Sequence, residues 1–513
     1  MNKPILRLLL IAATALFAGC ATVDFDHPKS ESRAPTDTAD TYLGKQLAGR
    51  AEEHPDMAGF YPLSDGIDAL AVRLLMAERA EVSIDAQYYL IKSDIVGSAF
   101  LGSLLRAADR GVRVRLLVDD IFTSGYDAGM AGLDFHPNFE IRIFNPFARR
   151  SARFMDGITS FSRINRRMHN KSFTVDNQVT LIGGRNIADE YFGARVDAKF
   201  ADLDVLGIGP VVQDVSDMFD SYWNHERAAP VPAFANMPDD PAAELKRVRD
   251  LLEKAREDVA TTIYAAAVRD QVLEYVETDK EFFVWAPYTL AVDSPDKAFK
   301  SKAGEAASIT TPLKESLLSA TDEIMVISPY FVPRKTGIAA FSELQANGVD
   351  VTIITNSLAA NNQSSVHGGY APSRKPLLKA GVRIFEVRDD ANVSGSELRA
   401  ASGAKATLHT KAFVVDRRDV FIGSFNFDPR SANINTELGV IIRSPEIAEA
   451  FVAAVKEALP EQSFEVFLNE NDKLRWRGIE NGEEVILDKE PHTTWWMRFK
   501  AGFMRILPIR GQL

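Results

Sequence analysis

Apolar residues fall into short β-branched runs separated by helical stretches, and the same order of elements occurs twice. Residues 82–90, 112–118, 171–175 and 203–208 read as strands, with a helix from Ala99 to Ala108 between the first two. Residues 324–332, 349–354, 411–415 and 438–442 repeat the strands, with a helix near 338–346. Alternation of strands and helices predicts an α/β fold, and two rounds of it predict two halves. The first half is expected over 56–230. A proline-rich stretch (Pro230, Pro232, Pro238, Pro241) then leads into a charged helical connector within 231–281, and the second half is expected over 282–470.

The polar residues that interrupt this pattern are repeated too. His169-Asn-Lys171-Ser-Phe-Thr-Val-Asp176 is followed, after six residues, by Gly183-Gly184-Arg185-Asn186. His409-Thr-Lys411-Ala-Phe-Val-Val-Asp416 is followed, after six residues, by Gly423-Ser424-Phe425-Asn426, 240 residues on. Flanking segments echo as well: 83–91 with 325–333, 110–118 with 347–355, and 202–210 with 437–445. One H-x-K-x4-D is weak evidence; two copies with matching gaps mark a duplication. His and Lys at i and i+2 of a strand share a face, so imidazole and ammonium address one pocket. Two imidazoles can serve as nucleophile and as general acid on a phosphodiester, which one alone cannot do. Two lysines and two asparagine amides can hold the phosphate oxygens.

This pattern resembles the duplicated HKD motif of the phospholipase D superfamily, across both halves of the chain. The resemblance implies two similar α/β/α halves packed face to face, with the active site at their seam. It implies that His169 attacks phosphorus to form a phosphohistidine. His409 then protonates the leaving group and deprotonates the acceptor. Lys171, Lys411, Asn186 and Asn426 would bind phosphate, and an acidic residue would orient each histidine. Aligning the halves nominates Asp202 and Glu437, with Asp204 a rival to Asp202 because the spacing from the preceding Asn differs by five residues. Asp176 and Asp416 complete the catalytic motif, but their places at strand ends before turns read as structural. Val366–Tyr370, Arg374–Phe385 and the Arg-Met-His-Asn-Lys form of the first motif resemble bacterial cardiolipin synthases. That implies phosphatidyl transfer between phospholipids, with phosphatidylglycerol as acceptor and phosphatidylglycerol or phosphatidylethanolamine as donor. The alternatives are a hydrolytic phospholipase D that releases phosphatidic acid and a non-enzymatic, lipid-binding envelope lipoprotein.

Composition narrows the partners. The formal net charge of −12 makes a poor general binder of nucleic acid, and none is expected. Arg149, Arg150, Arg153, Arg163, Arg166 and Arg167 precede the first motif and are candidates for headgroup recognition, against a solvated loop. There is no H-E-x-x-H and only one Cys, and the remaining histidines lack ligand spacing, so neither metal nor other cofactor is expected. One chain carries both motifs, so a monomer suffices for a complete site; the oligomeric state stays open. Residues 1–19 read as a secretory signal, and Ala18-Gly19-Cys20 resembles a lipobox in which Cys20 carries lipid. This implies a lipid-anchored envelope protein on the periplasmic side, with Ala21 favouring the outer membrane. Residues 20–55 read as a flexible tether. Residues 471–513 lie outside the duplication. There Trp495, Trp496, Phe499, Phe503, Ile506 and Leu507 form an apolar stripe suited to a bilayer surface or to docking on the core.

Overall fold

The structure, a computed structural model, describes residues 22–47, 49–194, 198–277, 282–299, 306–391 and 405–504. Residues 1–19, expected to be a signal, the lipidation candidate Cys20, and Ile506 and Leu507 lie outside them. The architecture is mixed α/β in two halves. The first sheet has the order Val284–Ala286, Ala58–Leu63, Asp204–Ile208, Val179–Gly183, Ser172–Val175, Ser83–Tyr88, Arg113–Asp119, Phe139–Phe144, Ala228–Pro230. The second repeats it as Tyr288–Val292, Leu438–Arg443, Asp419–Gly423, Ala412–Val415, Glu323–Ile327, Asp350–Asn356, Arg383–Val387, Ser463–Leu468, then Leu474–Glu480 and Glu483–Leu487. The chain therefore crosses between sheets at Pro287, a few residues after the expected boundary at 282. Residues 474–487, expected outside the duplication, extend the second sheet.

The central strands of each sheet are buried on both faces. Outside the first sheet, helices Gly66–Arg79 and Ile95–Asp109 set Leu70, Phe100 and Leu104 on Ile84, Val114 and Phe173. Asp65 and Asp94 cap them by accepting from Ile67 N and Gly97 N, which satisfies free amides of the first turns. Helices Pro210–Trp223 and Pro445–Gln462 lie between the sheets, in one apolar layer that joins Phe60, Ile182, Val205 and Trp223 to Ile327, Ile354, Val440 and Val452. This layer packs the halves face to face.

Two expectations change here. The segment 22–47 is no tether. Asp24 N donates to Ala233 O at 3.2 Å, Lys29 Nζ to Ala228 O at 2.8 Å and Ala34 N to Asp220 Oδ2 at 2.9 Å. A polar strip stays ordered when its backbone finds partners, and composition does not record those partners. The connector is likewise an outer layer: Pro241–Val259 packs on the helices Ile95–Asp109 and Asp127–Asp134.

Candidate active site

Each motif begins where its half touches the other. His169 N donates to Thr436 O at 2.9 Å, and Thr436 N donates to Arg167 O at 2.9 Å. His409 N donates to Ala201 O at 2.7 Å, beside a parallel pair of strands, Ala198–Ala201 and Lys405–Leu408. The partner residue in each case precedes a nominated carboxylate, so the backbone delivers that carboxylate to the histidine of the opposite half. His169 Nδ1 lies 2.8 Å from Glu437 Oε2, and His409 Nδ1 lies 2.5 Å from Asp202 Oδ2. The pairing is crossed. A carboxylate can only accept, so each Nδ1 carries hydrogen and each Nε2 presents a lone pair to the pocket. Asp204 is occupied elsewhere: Arg73 pairs with it at 2.8 Å and Arg185 at 3.3 Å.

The rest of the constellation lies on the short strands and the turns after them. His169, Lys171, His409 and Lys411 are all buried. Lys171 Nζ donates to His169 O at 2.6 Å and sits 5.4 Å from the centre of the Tyr89 ring. Lys411 Nζ lies 2.7 Å from His409 Nδ1 and 3.2 Å from Nε2. Asn186 Nδ2 donates to Tyr191 Oη at 2.8 Å, while Oδ1 of Asn186 and of Asn426 are buried with no hydrogen-bond partner among the described residues.

Burial dominates the electrostatics. It pulls His169 down to about 4 against Glu437, and His409 down to about 3 with help from Lys411. It lowers Lys171 to about 7 and Lys411 to about 8, against the nearby carboxylates. Burial works to raise Asp202 and Glu437 too, but the cations around them outweigh it and both stay below the usual carboxylate range. The resting imidazoles are thus neutral. An anion placed among these groups would raise the proton affinity of His409 and of both lysines.

Asp176 and Asp416 stand apart from this chemistry. Asp176 accepts from the backbone N–H groups of Glu81, Val82 and Ser83, and Asp416 from those of Thr321, Asp322 and Glu323. Each also opens the three-residue connection between its paired strands, with positive φ at Asp176-Asn177 and Asp416-Arg417. Their role in the motif is architectural. The six arginines correct a further expectation, because internal partners hold them. Arg149 pairs with Asp156, Arg150 with Asp120 and Asp127, and Arg153 with Asp120. Arg163 donates to Pro146 O, Arg167 to Asn145 O, and Arg166 crosses to Lys297 O. They clamp the approach to the first motif. The 366–385 stretch is also built in: Arg374 binds Glu386 at 3.0 Å and Glu490 at 2.7 Å.

Sequence reasoning missed the aromatic walls. Tyr89 meets His169 edge-on at 4.9 Å, Tyr191 meets His409 edge-on at 5.0 Å, and Phe200 stacks on His409 at 5.3 Å. Tyr191 and Phe200 flank the five-residue difference between the halves, and that local mismatch was the available signal. Away from the seam, His492 Nδ1 lies 2.6 Å from Asp389 Oδ1, and Asp390 completes this cluster. The histidine had looked solitary in sequence.

The family described as cardiolipin synthase, PLD-like domain, matches residues 74–223 and 313–458, so each match contains one of these motifs. This chain belongs to that family. Cardiolipin synthase C of Escherichia coli (strain K12) is 40% identical over 474 residues, covering 92% of this chain and 99% of that protein. Cardiolipin synthase A of Pseudomonas fluorescens is 25% identical, covering 75% of this chain and 66% of that protein. Among solved structures, phosphatidylserine synthase of Haemophilus influenzae Rd KW20 shares the fold, with a TM-score of 0.53 at 15% identity, over 81% of this chain and 90% of that one.

Proposed function

We propose that this protein synthesises cardiolipin by phosphatidyl transfer, with phosphatidylglycerol as acceptor and phosphatidylglycerol or phosphatidylethanolamine as donor. The observation that carries the mechanism is the crossed pair of buried imidazoles, each with Nδ1 on a carboxylate from the opposite half. His169 Nε2 attacks phosphorus, and the P–O bond to the donor headgroup breaks. His409 gives its proton to the departing oxygen, so glycerol or the ethanolammonium cation leaves as an alcohol rather than an alkoxide. The acceptor hydroxyl then gives its proton to His409, its oxygen attacks phosphorus, and the P–N bond breaks. Lys171, Lys411 and the two asparagines stabilise the charge that gathers on the phosphoryl oxygens; one such donor contributes about 3 kcal/mol. Purified protein in vesicles of phosphatidylglycerol and phosphatidylethanolamine should produce cardiolipin, read by mass spectrometry, and the His169→Ala variant should produce none. Phosphatidic acid as the sole product at every acceptor level would overturn transfer in favour of hydrolysis.

The same reading includes a lipid anchor on Cys20 and a place on the periplasmic side of the envelope, with the outer membrane favoured. It is supported by the basic start, apolar run and small residues before the single cysteine. Because Asp24 already packs on the body, such an anchor would sit within about 14 Å of chain from it. Mass spectrometry of the mature N-terminus checks this: an unmodified terminus at another residue excludes it.

A further inference from the structure

Two patches of exposed large apolar side chains lie one in each half. The first lies on helix Arg153–Thr159 and the turn after it: Phe154 is 71% exposed, Ile158 75% and Phe161 51%. The second is a ridge along helix Trp495–Met504. Trp495 and Trp496 each stack on Phe499 at 5.3 Å, and Phe503 follows at 6.5 Å. All four rings are about half exposed or more.

Side-chain contacts connect both patches to the catalytic pair. Arg153, beside Phe154, donates to Asp120 O, and two residues on, Phe122 meets Tyr89 edge-on at 5.6 Å; Tyr89 in turn meets His169. The ridge helix rests on helix Ser364–Tyr370. Just before that helix, Asn362 accepts from Tyr330 Oη at 2.8 Å; Asn356 Nδ2 donates to the O of Pro329, beside Tyr330, at 3.4 Å and to the O of Leu408, beside His409, at 2.9 Å. The N-terminal strip reaches the same side, since Arg163, in the turn with Phe161, lies over Phe25.

We propose that the two patches form one docking face that seats the catalytic mouth on a phospholipid bilayer. The occupant follows from chemistry, and the inference rests on the phospholipid-transfer reading above. A two-tailed lipid leaves its bilayer at great cost, so a pocket that works on its phosphate has to approach the headgroup plane. Tryptophan beside cations is the composition that such a plane selects. The ridge helix carries Arg498 and Lys500 and no acid, in a chain of net charge −12, and Lys500 Nζ sits 5.5 Å from the Trp496 ring. Rings already stacked in place lose little freedom on insertion.

The test uses the full-length protein and vesicles of phosphatidylglycerol and phosphatidylethanolamine with brominated acyl chains. Trp223 and Trp476 are buried and Trp285 is half-buried against His54, so the quenching lost on replacing Trp495 and Trp496 is the part that reports on the ridge. Quenching is expected in the native chain and should fall several-fold in Trp495→Phe/Trp496→Phe. Trp495→Ser/Trp496→Ser and Phe154→Ser/Ile158→Ser should each lower kcat/KM on vesicles tenfold or more. Turnover of soluble bis(p-nitrophenyl) phosphate and the Tm should change little. No quenching with unaltered vesicle rates overturns the proposal. So does equal loss on both substrates, which would make the helix part of the core, and so does conversion of a dimer to a monomer by the ridge variant, which would make the ridge a protein interface. Quenching needs no turnover, so a protein that inserts but makes no cardiolipin would sink the transfer reading and leave the docking face standing.

Discussion

The two halves carry the same motif yet hold their carboxylates by different chemistry. In the first half Asp202 lies against Gly184, where a Cβ would come 2.1 Å from its Oδ1. Arg185 donates to Asp202 O at 2.6 Å and, with Arg73, neutralises buried Asp204. In the second half Ser424 replaces that glycine and donates to Glu437 Oε2 at 2.5 Å. Phe425 and Gly439 stand where Arg185 and Asp204 stand in the first half, and Asp293, paired with Lys297, accepts from Glu437 N at 2.9 Å. A short carboxylate with glycine and a long one with serine reach the same imidazole nitrogen. Duplication thus kept the requirement for an oriented base and let each half meet it separately. The result is two histidines in unequal surroundings, as a nucleophile and a general acid require.

The largest test of that inequality is removal of each histidine. His169→Ala should abolish turnover, by about 10⁴-fold or more, together with any covalent phosphoenzyme. His409→Ala should still form the intermediate from a donor with a good leaving group and release it slowly. Phosphate trapped on His409 in the native enzyme would reverse the assignment. Next come the carboxylates. Glu437→Gln and Asp202→Asn should each lower kcat by about 10²- to 10⁴-fold, since the amide favours the wrong tautomer. The crossed pairing predicts that Glu437→Gln impairs intermediate formation at His169 and Asp202→Asn impairs proton transfer at His409. Gly184→Ala should act like Asp202→Asn by displacing that carboxylate, whereas Ser424→Ala, which removes one hydrogen bond, should cost about tenfold. Pre-steady-state burst measurements separate the two steps.

A third effect concerns stability. Lys171 and Lys411 hold protons less tightly in the folded chain, at about 7 and about 8, than their ordinary 10.5. The unfolded state therefore binds more protons across that window, and stability falls as pH drops from about 10 toward 7. His169, lowered from 6.5 to about 4, continues the loss below neutrality. Lys171→Met should raise the Tm at pH 7, flatten its pH dependence and remove activity. Binding of a phosphate mimic such as vanadate to the native protein should take up protons, measurable by calorimetry in buffers of different ionisation enthalpy.

The smallest effect on activity should come from the motif aspartates. Asp176→Asn weakens backbone contacts that Asp176 makes while fully buried, and should destabilise by about 1–3 kcal/mol; Asp416→Asn, at a half-exposed turn, should cost less. Activity per folded molecule should stay within about twofold. A much larger drop at unchanged Tm would return these residues to the chemistry.

Much of the plan was legible in the chain. Strand positions followed from alternation, and the pairs His169/His409 and Lys171/Lys411 followed from spacing. One alignment was legible only to within a slip of two: residues 83–91 had matched 325–333, but the sheets place Ser83 opposite Arg113 and Glu323 opposite Asp350, so Ser83 corresponds to Glu323. A two-residue shift preserves the inside–outside alternation of a strand, so the apolar pattern cannot detect it. The arginines before the first motif read either as headgroup ligands or as a solvated loop, because sequence displays charge but not the buried aspartates that face it.

The sequence by itself determined the duplication, the α/β alternation, and the residue types that phosphoryl transfer needs, because these are local or periodic properties of the chain. Only the tertiary structure decided which carboxylate serves which histidine. That choice rests on hydrogen bonds between Thr436 and His169 and between Ala201 and His409, across 267 and 208 positions of chain. It also decided that residues 22–47 pack on the first half. Contacts at such separation depend on how two sheets share a buried layer, and neither periodicity nor composition encodes that geometry.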